Sequence, residues 1–426
     1  MATKAYYISL DKLRIGMFVI LEISWFAHNF TRNRFKIKSS RQIDAIKHLG
    51  LEKIRIDPSK CDVTSLQDDP PPQPETLSTA SPNDVEQQNA VQKIQHIEDI
   101  NRHRAHVVDC EKNFVRASSV IKNINTKIFA QPEQAYSEAS DLIDQMIASM
   151  VTERDVTVNL MSDKAGGEEM YQHSLNVAVL AMMLAKELGM PAEDIKHLGM
   201  GCLFHDVGKL DIPQWIVTKT TSRNRNENAL LQMHCKYGEP IAKKLGLGRQ
   251  EMFIILQHHE RVDGSGYPDK IKGEEISRLA RIAAIVNAFD NYCNPSNPSN
   301  SLSPYAALAH MFAKERSKFE NVFLTTFIRC MGVYPPGTVV LLSDGSYAMV
   351  ISVNFNKPLL PVVLVHDPDI PRNEAIILDL QNELDISIQK VIPHAQLPGE
   401  VCEYLGQRKR LTYYFHVPEN LNAASA

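Results

Sequence analysis

The sequence predicts a mainly α protein, an all-helical core flanked by a small α+β module at the N-terminus and a small β-rich module at the C-terminus. Three patterns carry that prediction. Residues 1–65 alternate short apolar runs with polar residues, residues 85–330 repeat apolar positions at intervals of three and four, and residues 331–426 return to β-branched runs broken by turn residues.

In the first module "AYYISL", "GMFVILEI", "FKI" and "KIRIDP" read as strands, and "SSRQIDAIKHLG" reads as a short helix capped by serine and ended by Gly50. The stretch "DDPPPQPETLSTASPND" follows, rich in proline, serine and acid. It cannot bury enough apolar surface to order itself, so residues 66–84 are expected to be a flexible linker. Val91, Ile94, Ile97 and Ile100, then Leu142, Ile143, Met146, Ile147 and Met150, mark a helical connector over 85–150. Helical spacing continues through a larger domain at 151–330. In the tail, "YPPGTVVLLSDGSYAMVISVNFNKPLLPVVLVHD" has β-branched runs separated by "SDGS" and "NKP", the pattern of a small antiparallel sheet. No internal repeat is present.

Composition narrows the function classes. The 426 residues are 44% hydrophobic and 23% charged, with a net charge of −4, which gives no electrostatic footprint for DNA or RNA. No segment approaches the length of a membrane span and the first residues do not form a secretory leader, so no membrane association and a cytoplasmic location are expected. The seven cysteines are scattered, with no C-x-x-C pair, which argues against a disulfide framework and against a thiolate zinc site.

What composition leaves open, five polar clusters in the helical region address. "EEMYQHS" puts Glu169 and His173 four residues apart on one helical face. "FHDVGK" supplies His205, Asp206 and Lys209, "MHCKYG" His234, "QHHERVDGSGYP" His258 and His259, and "RIAAIVNAFDNY" Asn287 and Asp290. One histidine on an apolar helix is ordinarily a core residue bonded to backbone. Five with interspersed carboxylates match the nitrogen and oxygen ligand set of zinc, iron or manganese, and an adjacent His-Asp pair suits a two-metal site. The spacing also places Lys209 one α-helical turn beyond His205, where it could neutralise a phosphate oxygen. "DGSGYP" reads as a tight turn that needs a glycine at positive φ, at Gly264 or Gly266, and shapes the wall of the site.

"HDVGK" followed by "HHERVDGSGYP", with "HSLNVAVLA" before and "HCKYG" between, resembles the HD-GYP family of metal-dependent phosphodiesterases, which hydrolyse the second messenger cyclic di-GMP. The N-terminal "LDKLRIGMFV" and "IKHLGLEKIRID" resemble the small uncharacterised domain that often precedes that family's catalytic domain. The resemblance implies an HD-type metal-dependent phosphohydrolase core that converts cyclic di-GMP to pGpG, GMP or both through a metal-bound hydroxide. It implies metal ligands at Glu169, His173, His205, Asp206, His234, His258, His259 and Asn287, with Asp206 bridging and Glu169 supporting a third ion. Asp206 and Lys209 become the catalytic residues, and Lys209, Asp263, Gly266, Tyr267 and Pro268 contact substrate. The cofactors implied are two or three divalent ions, iron or manganese first, zinc and nickel also fitting. The partner implied is the cyclic dinucleotide, with a homodimer and a diguanylate cyclase or other signalling protein as further candidates.

Two departures bear on activity. Asn287 stands where the family has aspartate, and "CNPSNPSNSLSPY" replaces an arginine-bearing segment that holds the dinucleotide, so the loop offers no cation to the phosphates. The alternatives are therefore a catalytically weak or degenerate cyclic di-GMP sensor, or a phosphodiesterase preferring another cyclic dinucleotide such as 3′3′-cyclic GMP-AMP.

Overall fold

The computed structural model describes residues 6–23, 30, 33–62, 105, 109–110, 112–152, 159–160, 169–353, 357–368, 370–372, 375–383, 386–393, 396–405 and 411–414. The expected linker at 66–84 and the repeat from Val91 to Ile100 lie outside them. The chain divides into two compact units, one of Met1–His103 with His366–Ile376, the other of Arg104–Val365 with Ile377–Ala426.

In the first unit, strands β1 (Tyr6–Ser9), β2 (Phe18–Ile20), β3 (Arg34–Lys36) and β4 (Lys53–Ile56) form an antiparallel sheet in the order β1-β4-β2-β3. Alternation along β4 buries Ile54 and Ile56, which join Val19, Leu21 and Ile37 in the core. Helix α1 (Ser40–Lys47) begins where the Ser39 side chain accepts the Gln42 amide and adds Ile46 to that core. Gly50, at φ +72°, turns the chain out of the helix into β4.

The second unit is built on helices: α2 (residues 112–127), α3 (Pro132–Thr152), α4 (Glu169–Glu187), α5 (Ala192–Phe204), α6 (Gln214–Val217), α7 (Arg225–Gln232), α8 (His234–Leu245), α9 (Arg249–Gln257), α10 (Arg278–Cys293), α11 (Pro304–Lys314) and α12 (Asn321–Met331). Residues 174–185 of α4 and 282–290 of α10 are buried without a break. Such all-round apolar helices have to be central, and α4 packs on α5, α10 and α12 while α9 packs on α5, α8 and α10. Of the two helices in the expected connector, α3 lies against α5 and α8.

The tail forms an antiparallel sheet in the order β10-β6-β7-β8-β9, from β6 (Val339–Leu342), β7 (Tyr347–Ser352), β8 (Val362–Val365), β9 (Ile377–Asp379) and β10 (Ile388–Val391). The "SDGS" stretch makes the β6–β7 turn, with Gly345 at φ +85°. Helix α13 (Gly399–Leu405) packs on β7. The last strand, β11 (Tyr413–Tyr414), pairs antiparallel with β5 (Asn159–Leu160), the short strand ahead of α4. None of the seven cysteines forms a disulfide, and no helix among the described residues is long and apolar enough to cross a membrane.

Candidate metal centre

The ends of four helices converge on Asp206. His173 lies in the second turn of α4, His205 caps the C-terminus of α5, His234 opens α8, and His258 and His259 follow the last turn of α9. Asp206 itself starts a 3-10 turn at Val207–Asp211. Two groups of metal-ligating atoms share it: His173, His205 and Asp206, and Asp206, His234, His258 and His259, the atoms in each lying within 4.8 Å of one another.

Hydrogen bonding sets the state of the rings. His205 Nδ1 bonds the Cys202 carbonyl at 2.6 Å, His234 Nδ1 the Leu231 carbonyl at 2.6 Å, and His258 Nδ1 the Ile255 carbonyl at 3.0 Å. A carbonyl only accepts, so each Nδ1 carries the proton and each Nε2 a lone pair. His173 is fixed likewise, its Nδ1 lying 2.6 Å from Asp290 Oδ2. The Nε2 atoms then face one another in pairs, His173 with His205 and His234 with His258, each at 3.2 Å. Two lone pairs at that distance repel unless a cation lies among them. Asp206 Oδ1 adds to the case, being buried with no hydrogen-bond donor while 3.3 Å from His234 Nε2. The donor set is therefore what divalent ions of borderline hardness require, with the outer nitrogens anchored by acceptors.

Protonation does not relieve the repulsion. Burial holds His205 down to about 4, the nearby Asp206 charge only partly offsetting it. Burial likewise holds His258 and His259 well below the usual imidazole range and lowers His234. For Asp206 burial opposes ionisation, but Lys209 and the surrounding His205, His234 and His173 outweigh it and keep the carboxyl well below its ordinary value.

Lys209 does not continue α5, as its spacing from His205 predicts. The helix stops at His205, and the 3-10 turn brings Lys209 Nζ to 2.5 Å from Asp206 Oδ2. Its side chain is 24% exposed, and it lines a cleft of about 380 Å³ with His234, His259, Arg261, Tyr267 and Asn287. That volume suits a small-molecule pocket. Tyr267 stacks on His259 at 4.5 Å between ring centroids, so it holds a ring of the metal group as well as a wall of the cleft.

Three predicted substrate contacts do not line this cleft. Asp263 is exposed and accepts the Ser265 amide within its own turn. Gly266 is buried where a Cβ would fall 2.5 Å from the Arg261 nitrogen and the Glu260 Cα, so its role is to let the turn fold onto the α9 exit. Pro268 follows a cis bond and is half-buried. Gly264 supplies the positive φ, at +79°. Asn287 is buried on α10, its Oδ1 accepting the Asn291 amide at 2.7 Å and its Nδ2 without a partner. Glu169 opens α4, but its side chain lies outside the described residues.

Sequence reasoning missed two features. The loop replacing the arginine-bearing segment leaves the cleft with cations from elsewhere: Arg261, beside the ligand pair His258 and His259, and Arg223, which donates to the Ile216, Val217 and Lys219 carbonyls. The other is a pair of buried amides, Asn176 and Asn294, each donating to Asp290 Oδ1 at 2.8 and 2.9 Å. Asn176 is the lone polar residue in "LNVAVLA", its one signal.

Two family models match the chain in succession. The family described as "HD domain" matches residues 155–321, and the family described as "Domain of unknown function (DUF3391)" matches residues 6–158. The chain is 28% identical over 369 residues to the cyclic di-GMP phosphodiesterase PA4108 of Pseudomonas aeruginosa, covering 84% of each. It is 30% identical over 212 residues to the cyclic di-GMP phosphodiesterase response regulator RpfG of Xanthomonas campestris, covering 47% of this chain and 54% of that protein. It is 37% identical over 115 residues to the 3′3′-cGAMP-specific phosphodiesterase 1 of Vibrio cholerae, covering 26% of each.

Proposed function

The chain belongs to the HD-domain family and carries the HD and GYP signatures behind a DUF3391 domain, and from that premise we propose that it is a metal-dependent phosphodiesterase hydrolysing cyclic di-GMP to pGpG, GMP or both. The observation that supports this most is the set of Nε2 lone pairs turned on the Asp206 carboxylate, beside a cleft that carries Lys209 and Arg261. His173, His205 and Asp206 would hold one ion, and Asp206, His234, His258 and His259 the other, with iron or manganese the first choices. Asn287 and Glu169 are further ligand candidates, Glu169 for a third ion. When bound, the ions supply Lewis acidity toward the phosphoryl oxygens and activation of water.

The chain's own residues do the rest. Asp206, kept ionised by Lys209, is common to both ligand groups, so it sets their spacing. Lys209 presents an ammonium between that carboxylate and the cleft, where it can offset charge that develops on the phosphoryl group. Arg261 offers the planar fork that suits a phosphate, and its guanidinium is steadied over the Phe319 ring at 5.1 Å. In the reaction water adds to phosphorus and the 3′ oxygen leaves with a proton, opening the ring of the dinucleotide. This reading places the activity in the cytoplasm.

The test is chromatography of products after manganese-loaded protein meets cyclic di-GMP, 3′3′-cyclic GMP-AMP and cyclic di-AMP. Linear pGpG or GMP from cyclic di-GMP, lost in Asp206→Asn, is the expected result. Binding of cyclic di-GMP without turnover would favour the sensor reading. Preferential cleavage of the GMP-AMP hybrid would move the substrate assignment.

A further inference from the structure

We infer that the C-terminal strand β11 and the residue run leading into it, residues 411–414, hold His173 in its metal-binding orientation, an inference that rests on the metal centre proposed above. Asp290 is fully buried and fixes the ring from behind, Oδ2 to His173 Nδ1 at 2.6 Å. Its other oxygen takes one N–H from each of Asn176 and Asn294. Each of those amides has a second N–H, and both go to the Leu411 carbonyl at 2.9 Å. Their oxygens accept the remaining tail donors, Asn294 Oδ1 from the Leu411 amide at 2.8 Å and Asn176 Oδ1 from the Tyr413 amide at 3.0 Å.

The tail backbone thus accepts the second N–H of each amide and donates one N–H to each amide oxygen, and the amides in turn set the carboxylate that sets the imidazole. Without the tail, the two side-chain amides in a buried site lose these four hydrogen bonds, and they can recover them only by turning away from Asp290. Asp290, Asn176 and Asn294 are positioning residues on this account. Outer partners of a metal-bound histidine typically change metal affinity about 10- to 100-fold.

The experiment titrates full-length protein with Mn2+ alone against a chelator, for the wild type, Asn176→Ala, Asn294→Ala and Leu411→Pro, the last removing the tail N–H that Asn294 accepts. Leu378→Ala, a buried change in β9, controls for lost stability. The expected result is Mn2+ affinity about 10- to 100-fold weaker in one of the two groups for all three network variants and unchanged in Leu378→Ala. Nitrogen NMR of the metal-free proteins should show His173 as the pure Nδ1–H tautomer in the wild type and as a mixture in the variants. Wild-type affinity and a pure tautomer in Asn294→Ala or Leu411→Pro would overturn the inference while leaving the metal centre standing. A wild type that binds no Mn2+ would remove both.

Discussion

Replacing Gly208 with alanine should strip metal from the His234 side of the centre and spare the His173 side. Gly208 lies in the 3-10 turn after Asp206 and backs onto the first turn of α8. A Cβ there would stand 1.9 Å from the His234 carbonyl oxygen and 2.4 Å from the Gly238 nitrogen, where ordinary contact begins at 3.4 Å. Both obstacles are backbone, so no rotamer change relieves the shortfall of about 1.5 Å, and turn and helix have to part. His234 travels with α8, whereas metal–ligand distances tolerate about 0.2 Å. The displacement therefore exceeds the tolerance several-fold, and the stability cost should reach at least the upper part of the 1–3 kcal/mol that overpacking typically takes. Elemental analysis of manganese-loaded protein, with urea unfolding, reads both effects. Gly246→Ala is the control: Gly246 sits at φ +78° with no atom within 4 Å of the added carbon, so it should cost about 1–2 kcal/mol through backbone strain and leave the metal count intact. A Gly208→Ala protein with wild-type metal content and midpoint would refute the reasoning.

Lys209→Ala should keep its metal and lose turnover about 100-fold or more, because it removes a cation aimed at developing phosphoryl charge, and an unchanged rate would return Lys209 to a surface role. Asn287→Asp would put an oxygen where an unpartnered Nδ2 now stands while the other oxygen still accepts from Asn291. Manganese titration should show it binding about 10-fold tighter and product assays should show faster hydrolysis, whereas weaker binding would refute Asn287 as the ligand position. In the metal-free protein, His205 is held to about 4 from an ordinary 6.5, and His258 and His259 are also held below 6.5, so between those limits the unfolded chain binds more protons than the folded one. Stability should be present in full above about pH 6.5 and fall as pH drops toward 4, and a urea midpoint that is flat across that window would contradict neutral rings.

The candidate ligands were legible because few side chains can do their chemistry. A histidine or aspartate inside an apolar run costs free energy unless something pairs with it, so "CLFHDVGK" and "LQHHE" announce themselves. Helix identity was legible for the same kind of reason, since residues 174–185 and 282–290 can be buried on all sides only as central helices. What the spacing misjudged was the path of the backbone at Lys209. Periodicity extrapolates α5 through "HDVGK", but Gly208 has to press against α8 at His234, and only the partner helix, 26 residues further on, shows why the turn tightens there.

The outer shell is less legible still, because its residue types are ordinary and its partners are remote. Asn176 and Asn294 look like any amides in a helix, and nothing near them in sequence supplies the carbonyl and the two N–H groups that complete them. Those come from Leu411 and Tyr413, 235 and 237 residues beyond Asn176. Nothing in "LTYY" itself shows that it pairs with β5 and ties to α4 and α10. The network inferred to hold His173 therefore draws on backbone well beyond residue 330, where helical spacing ends. The hydrogen-bonded unit that orients His173 extends to Tyr413, and a catalytic fragment lacking that strand would keep every ligand yet leave the Asn176 and Asn294 amides unsatisfied beside Asp290.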